Sequence, residues 1–413
     1  MGTCCSKEPL YEVVSEDRDE KQYVRDGEDD DENIADDGAI VRLQGPSAFT
    51  SMFTKQGKKG INQDAMTVWE NLAGEDMFFC GVFDGHGPLG HKIARYARDT
   101  LPSKLHSAIK RSQISDASAG QNNFVNGSTD KDGNDGENFF FNSMKASLIK
   151  SFSETDDELS LDSAIDSFCS GTTAVTVIKK GDHLVVANLG DSRAVLCTRS
   201  SKNQLIPIQL TVDLKPNVPS EAERINICKG RIFALDEEPD VYRIWMPEDD
   251  CPGLAMARAF GDFCLKDYGL ISCPEISHRK LTANDEFVVL ATDGIWDVMS
   301  NQEVIKIVSS VKDRSTAAKT LVSFAVRTWR SKFPCSRIDD CAVICLFFKE
   351  ETVASKSTSD VNGGSSVSRA EFSVHRKSKS VKSEDNFERE SKGSDGVSTI
   401  NSFIKIPRIS HVF

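Results

Sequence analysis

TTAVTVI at residues 172–178, KGD at 180–182, HLVVAN at 183–188, GDS at 190–192 and RAVLCTR at 193–199 follow one another without a break long enough for a helix. Parallel strands need a crossover of a dozen or more residues, so these β-branched runs joined by Gly and Asp turns read as an antiparallel meander. Outward from it, further strand-length runs stand at Met66 to Trp69, Met77 to Phe83, Glu286 to Ala291 and Cys341 to Phe347. Helical patterns are grouped elsewhere. Ser300 and Glu303 form a capping box ahead of Val304, Ile307, Val308 and Val311. Ala318, Leu321, Val322, Ala325 and Trp329 make a second stripe, and Phe140, Met144, Leu148 and Phe152 a third. This grouping predicts an α+β fold, a four-layer α/β/β/α sandwich in which two antiparallel sheets pack face to face with helices outside.

The ends of the chain differ from this centre. Residues 16–37 hold 12 acidic and three basic side chains, a net charge of −9 without apolar periodicity, and are expected to be disordered. Residues 351–413 are Ser-rich with short basic and acidic patches and form a second expected tail. Between them, residues 38–350 make one unit of about 300 residues, near the upper size for a single domain. Residues 112–137, rich in Ser, Asn, Gly and Asp, read as an inserted surface loop. Asp130 opens a calcium-loop-like run, but position six is Asp135 instead of Gly and position twelve is Phe141, so that motif fails and an acidic calcium-binding protein is disfavoured.

Composition removes several functions. The 50 Lys and Arg against 63 Asp and Glu give −13, a field that repels phosphate backbones, so no nucleic-acid partner is expected. The 12 cysteines never stand in C-x-x-C spacing, which excludes zinc ribbons and thioredoxin-type chemistry and fits a reduced, intracellular chain. The longest apolar runs are of strand length, and no secretory signal pattern precedes them, so Asn126-Gly127-Ser128 reads as loop composition.

Chemistry gathers at strand ends. Asp84-Gly85-His86-Gly87 follows the run Met77 to Phe83, Asp293-Gly294 follows Phe287 to Ala291, and Asp339-Asp340 precedes Cys341 to Phe347. Carboxylates brought together there repel one another unless a cation neutralises them, and hard oxygen donors suit Mg²⁺ or Mn²⁺ better than Zn²⁺.

From Gly57 to Phe348 the chain resembles the type 2C metal-dependent Ser/Thr protein phosphatases, with wording closest to the plant branch. The blocks stand in that family's order: Asn62-Gln63-Asp64, Val82 to Gly87, Ser170 to Ala174, Asn188 to Arg193, Leu254 to Asp262, Ala291 to Asp297 and Asp339-Asp340-Cys341. The resemblance implies hydrolysis of phosphoserine and phosphothreonine in proteins at a binuclear Mg²⁺ or Mn²⁺ site. Asp84 would bridge two ions, the Gly85 carbonyl would bind one, and Asp293 and Asp339 the other. A water shared by two ions is acidified and attacks phosphorus in line, with no phosphoenzyme. Asp64, Asp191 and Asp262 would hold metal-bound waters or an additional ion. His86 would be the general acid for the departing alkoxide, and Lys59 falls where relatives carry an Arg that contacts phosphate.

Three positions depart from the family pattern. Lys59 replaces that Arg, Gln63 stands where many relatives have a metal-binding Glu, and Leu214 replaces the His of the segment Asp213-Leu214-Lys215-Pro216. The last two support the rival reading, a membrane-anchored pseudophosphatase that binds phosphoproteins without turnover. Against it, Asp84, Asp293 and Asp339 are all present.

Met1-Gly2-Thr3-Cys4-Cys5-Ser6 fits the pattern for myristoylation of Gly2, and Cys4 and Cys5 are placed for palmitoylation. One myristoyl chain binds membranes with K of only about 10⁴ M⁻¹, so two kinds of acylation are expected to hold a monomer on the cytoplasmic face of the plasma membrane. Without acylation it would distribute through cytosol and nucleus.

Overall fold

β-branched and aromatic residues run almost without interruption through the central strands because these strands are covered on both faces. Val343, Cys345 and Phe347 point to one side of the last strand and Ala342, Ile344 and Leu346 to the other, and all six are buried. The computed structural model describes residues 39–42, 49–74, 76–120, 133–335 and 337–349. The lipidation positions Gly2, Cys4 and Cys5, the acidic tract at 16–37 and the Ser-rich stretch at 351–413 lie outside the described residues.

The first sheet runs in the order β1 (Ala39–Arg42), β3 (Asp64–Trp69), β4 (Met77–His86), β6 (Ala174–Lys180), β7 (His183–Leu189) and β14 (Glu275–Lys280). The short β5 (Gly171–Thr172) pairs with β4 and with β13 (Phe260–Gly261). The second sheet runs β2 (Thr50–Lys55), β16 (Cys341–Phe347), β15 (Asp285–Ala291), β8 (Arg193–Arg199) and β9 (Leu205–Gln209). β10 (Arg231–Ala234), β11 (Tyr242–Trp245) and β12 (Pro252–Leu254) make a small third sheet. The helices are α1 (Gly90–Gly120), α2 (Gly133–Leu161), α3 (Pro219–Ile227), α4 (Phe263–Lys266), α5 (Asp293–Trp296), α6 (Asn301–Ser310) and α7 (Ala317–Lys332).

Three packed cores stack these elements into four layers. Val82, Val175, Val177 and Val186 of the first sheet meet Leu196, Val288, Leu290 and Ile344 of the second. The other face of the first sheet, with Phe79, Phe83 and Ile178, is covered by Ile93 and Leu101 of α1 and by Met144, Leu148 and Phe152 of α2. The outer face of the second sheet, with Val289 and Val343, is covered by Val304 of α6 and Leu321, Val322 and Ala325 of α7. Each such large side chain contributes about 1.5–3 kcal/mol relative to exposure. The expected cap is formed: Ser300 N donates to Glu303 Oε2 at 2.8 Å, and Glu303 N to Ser300 Oγ at 3.3 Å.

Four features differ from the sequence reading. The run Arg193–Arg199 does not continue the meander, because Gly190-Asp191-Ser192 carries the chain from β7 in one sheet to β8 in the other. β1 pairs with β3 in parallel, since the chain visits β2 in the opposite sheet between them. The loop expected over 112–137 is helical at both ends, where α1 runs on to Gly120 and α2 begins at Gly133; residues 121–132 lie outside the described residues. The two helices pack along each other, and that packing overrides the poor helix propensity of Ser, Asn and Gly. The third sheet was not foreseen, for its strands are only three or four residues long.

Candidate active site

The carboxylates converge because antiparallel pairing returns separate strands to the same edge. Asp64 opens β3 and stands directly opposite Asp84 near the end of β4. Ala291, the last residue of β15, pairs with Val343 near the start of β16, so Asp293 and Asp339 reach the same end of the second sheet. One cleft is lined by Asp84, His86, Asp191, Asp262, Asp293 and Asp339.

The backbone around Asp84 is fixed by other sequence blocks. Asp84 N donates to Thr173 Oγ1 at 3.0 Å, Thr173 N returns a bond to Asp84 O at 2.9 Å, and Thr173 Oγ1 lies 2.8 Å from Ser192 Oγ. Next in the strand, Gly85 N donates to Gln63 O at 3.2 Å. Asp340 braces the opposite wall by accepting from Gly57 N at 2.7 Å and Gln63 N at 2.9 Å.

Packing so many acids together opposes their ionisation. Asp84 is partly open to the cleft, yet its carboxyl is pushed well above the usual range, first by burial and then by Asp293, Asp64, Asp339 and Asp191. Asp64 is likewise raised, by burial and then Asp340, even though Thr292 Oγ1 donates to it at 2.9 Å. Asp339 is raised by burial, against the pull of the Lys59 ammonium that pairs with its Oδ2. Burial draws Lys59 down, but Asp339, Asp293 and Asp84 outweigh it and hold the ammonium above its ordinary value. Asp191 goes the other way: burial would raise it, but Lys215 Nζ at 2.7 Å holds it below the usual range.

His86 Nε2 lies 2.5 Å from Asp262 Oδ2, both side chains being at most 3% exposed. Gly171 permits this contact, because a Cβ there would lie 2.1 Å from Asp262 Oδ2 and 2.7 Å from His86 Nε2. Asp262 thus meets the imidazole directly within the cleft that also holds Asp84, Asp191, Asp293 and Asp339. Lys59 stands behind the cleft acids with its ammonium paired to Asp339, which lines the cleft.

Among the described residues, no group of three or more His, Cys, Asp or Glu side chains forms a ready ligand set. The acids instead hold separate partners: Asp339 has Lys59, Asp191 has Lys215, and Asp64 has Thr292. The donor chemistry nonetheless fits hard divalent cations. Asp191 Oδ1 and Gln63 Oε1 are buried with no hydrogen bond, and the acids around Asp84 repel one another.

Residues 51–331 match the sequence profile of the family described as Protein phosphatase 2C. The chain belongs to this family. A relative named "Probable protein phosphatase 2C 65" from Arabidopsis thaliana is 59% identical over 348 residues, 84% of this chain and 88% of that one. "Probable protein phosphatase 2C 73" from Oryza sativa subsp. japonica is 58% identical over 316 residues, 76% of this chain and 75% of the relative. Among solved structures, the serine-threonine phosphatase 2C of Toxoplasma gondii superposes with a TM-score of 0.64 at 24% identity, covering 73% of this chain and 94% of its own. A C. elegans sex determining protein superposes with a TM-score of 0.55 at 21% identity, covering 73% and 64%. Both show the fold. The chain is a plant-like type 2C phosphatase, a metal-dependent enzyme that removes phosphate from serine and threonine of proteins.

The phosphatase cleft also takes in Arg243, Pro252 and Gly253, which sequence reasoning missed. Arg243 of β11 and residues 252–256, in and after β12, line it together with the acids. Arg243 is 6% exposed and donates to Glu238 Oε2 at 2.7 Å and Gly253 O at 2.8 Å. Leu214, where the family pattern has His, is buried; its N donates to Gly190 O at 3.0 Å, and its O accepts from Ala257 N at 2.7 Å. That position ties two motif segments together through backbone, so a side chain without an imidazole serves it.

Proposed function

We propose that the phosphatase hydrolyses its substrate by direct attack of water at a binuclear Mg²⁺ or Mn²⁺ site held by Asp84, the Gly85 carbonyl, Asp293 and Asp339. The observation carrying this reading is the single cleft lined by Asp84, Asp191, Asp293 and Asp339 together with His86. When bound, the ions lower the pKa of water and offset charge on the phosphoryl oxygens. The chain's own residues supply the rest. Asp64 and Asp191 orient water through their oxygens, and Gln63 offers its neutral Oε1 where a charged donor stands in many relatives. Asp262 fixes the His86 ring by its bond to Nε2, and His86 supplies the proton for the departing serine or threonine oxygen. The rival pseudophosphatase reading has no support beyond Gln63, because Leu214 serves a backbone role.

The purified full-length chain should release phosphate from phosphoserine and phosphothreonine peptides with Mg²⁺ or Mn²⁺ and stop in chelator. Asp84→Asn should cost about a hundredfold or more, since several kcal/mol of charge stabilisation are removed. Turnover that ignores chelation, or a folded Asp84→Asn chain with the parent rate, refutes the mechanism.

With Met1 as initiating residue, we further propose dual acylation at Gly2, Cys4 and Cys5 and a plasma-membrane location, resting on the sequence pattern alone. A Gly2→Ala fluorescent fusion should leave the membrane; if it stays, the anchor is elsewhere. The working form is proposed to be a monomer.

A further inference from the structure

Cys169 and Cys264 are separated by 95 positions in sequence, yet their sulfurs lie 3.4 Å apart. Their backbones run side by side: Asp262 N donates to Ser170 O at 2.8 Å, Phe263 N to Ser167 O at 3.3 Å, and Cys264 N to Phe168 O at 2.9 Å. Cys169 is half-buried and lines the active-site cleft, whereas Cys264 is 6% exposed. An accessible thiol in contact with a buried one is the arrangement in which the first is oxidised and the second resolves it. A disulfide needs an S–S distance of about 2.05 Å, so closing it draws the two adjacent segments toward each other.

We propose that Cys169 and Cys264 are a reversible oxidation site that lowers phosphatase turnover. The oxidant is a hydroperoxide. The Cys169 thiolate attacks one peroxide oxygen, the O–O bond breaks, and the displaced oxygen leaves as water or alcohol, giving a sulfenic acid on Cys169. The Cys264 sulfur then attacks the Cys169 sulfur; the S–O bond breaks, water leaves with the Cys264 proton, and the S–S bond forms. Two thiols lose two electrons and one peroxide gains them. A dithiol reverses the step by exchange. Attack begins at Cys169 because it is the sulfur open to the cleft; burial, with Asp262 and Asp166, raises its thiol against the opposing contact with Cys264, so the step is slow at neutral pH.

The consequence for catalysis follows from position. Asp262, two residues before Cys264, holds His86, and Ser170, next to Cys169, holds the Asp262 backbone. Drawing the two sulfurs together pulls both segments and moves the carboxylate that orients the imidazole.

The test treats the reduced full chain with hydrogen peroxide and reads linkage by peptide mass spectrometry and turnover on the same samples. A Cys169–Cys264 peptide should appear. Turnover on phosphopeptides should fall about tenfold or more, with a smaller fall on p-nitrophenyl phosphate, whose leaving group needs no proton. Dithiothreitol should restore both. Cys264→Ser, or Cys264→Ala should the first not fold, should keep its basal rate yet accumulate a sulfenic acid at Cys169 that dimedone traps. Absence of the link, or a link from Cys169 to Cys251 instead, overturns the site; a link that leaves turnover unchanged overturns the regulation. The activity arm rests on the proposed role of His86, whereas the linkage is read by mass and fails or stands without it.

Discussion

Lys180-Gly181-Asp182 joins β6 to β7 and Gly190-Asp191-Ser192 joins β7 to β8, and in sequence the two turns look interchangeable. The first closes a hairpin with Lys180 paired to His183, and its Asp182 side chain is 55% exposed. The second leaves one sheet for the other, and its Asp191 side chain is 4% exposed. Gly181 has φ +55° and open space where a Cβ would stand, with nothing within 4 Å, while Gly190 has φ +99° and Thr173 pressed against it. Asn188 Nδ2 and Leu214 N both donate to Gly190 O, at 3.2 and 3.0 Å. Turn chemistry states that a chain reverses; the packing around the turn decides where it goes, and only the enclosed turn brings an acid to the cleft.

The largest effect that would break this contrast is on stability. Gly190→Ala would set a Cβ 2.7 Å from Thr173 Cγ2 at a φ that L residues rarely adopt, a combination expected to cost about 2–5 kcal/mol. Gly181→Ala keeps a left-handed φ in open space and should cost about 1–2 kcal/mol. Urea midpoints of the two variants separate the cases; equal shifts would mean that the second turn is not held as described.

How much of this was legible follows the same division. The layers could be read because they depend on periodicity: the stripe Met144, Leu148 and Phe152 and the cap at Ser300 describe what is found. The acids at strand ends could also be read, as Asp84, Asp293 and Asp339 each adjoin an apolar run. What could not be read are contacts made by residues far apart with no local signature. Arg243 reaches the cleft from a four-residue strand, Asp262 bonds His86 across 176 positions, and Cys169 meets Cys264 across 95 positions. The departure of β8 to the second sheet belongs here too, since Val195 and Val288 pack on opposite faces of that sheet in ways no turn motif encodes.

A second, smaller effect sharpens the contrast in catalysis. Asp191 Oδ1 is buried in the cleft wall without a hydrogen bond, so Asp191→Asn should lower kcat/KM by about 10- to 100-fold and raise the Mg²⁺ or Mn²⁺ concentration needed for half-maximal rate. Asp182→Asn, at the exposed turn, should stay within about twofold of the parent. Matching losses would show that Asp191 acts only through stability.

The smallest effect compares the lysines that face the two aspartates. Lys215 Nζ lies 2.7 Å from Asp191, whose side chain is enclosed, whereas Lys280 Nζ lies 3.9 Å from Asp182 with both side chains more than half exposed. Lys215→Met leaves the Asp191 carboxylate buried without its ammonium, but Lys215 itself is 42% exposed, so solvent screening limits the loss to about 1 kcal/mol at neutral pH. The sign with pH is fixed by the direction of the Asp191 shift. Its folded pKa lies below the ordinary value because Lys215 outweighs burial, so its contribution is complete above the unfolded pKa of about 3.9 and is lost as pH falls through the lower folded value. In the variant, burial raises the same carboxyl, which then takes up its proton at higher pH. The stability gap between parent and Lys215→Met, measured by urea unfolding in chelator, should therefore be widest near neutrality and close only as pH falls through the lowered folded value of the parent. Lys280→Met should show a shift within about 0.5 kcal/mol throughout. A Lys215→Met gap that persists undiminished at low pH would mean that Lys215 stabilises the crossing turn by packing of its alkyl chain, with no part played by the charge on Asp191.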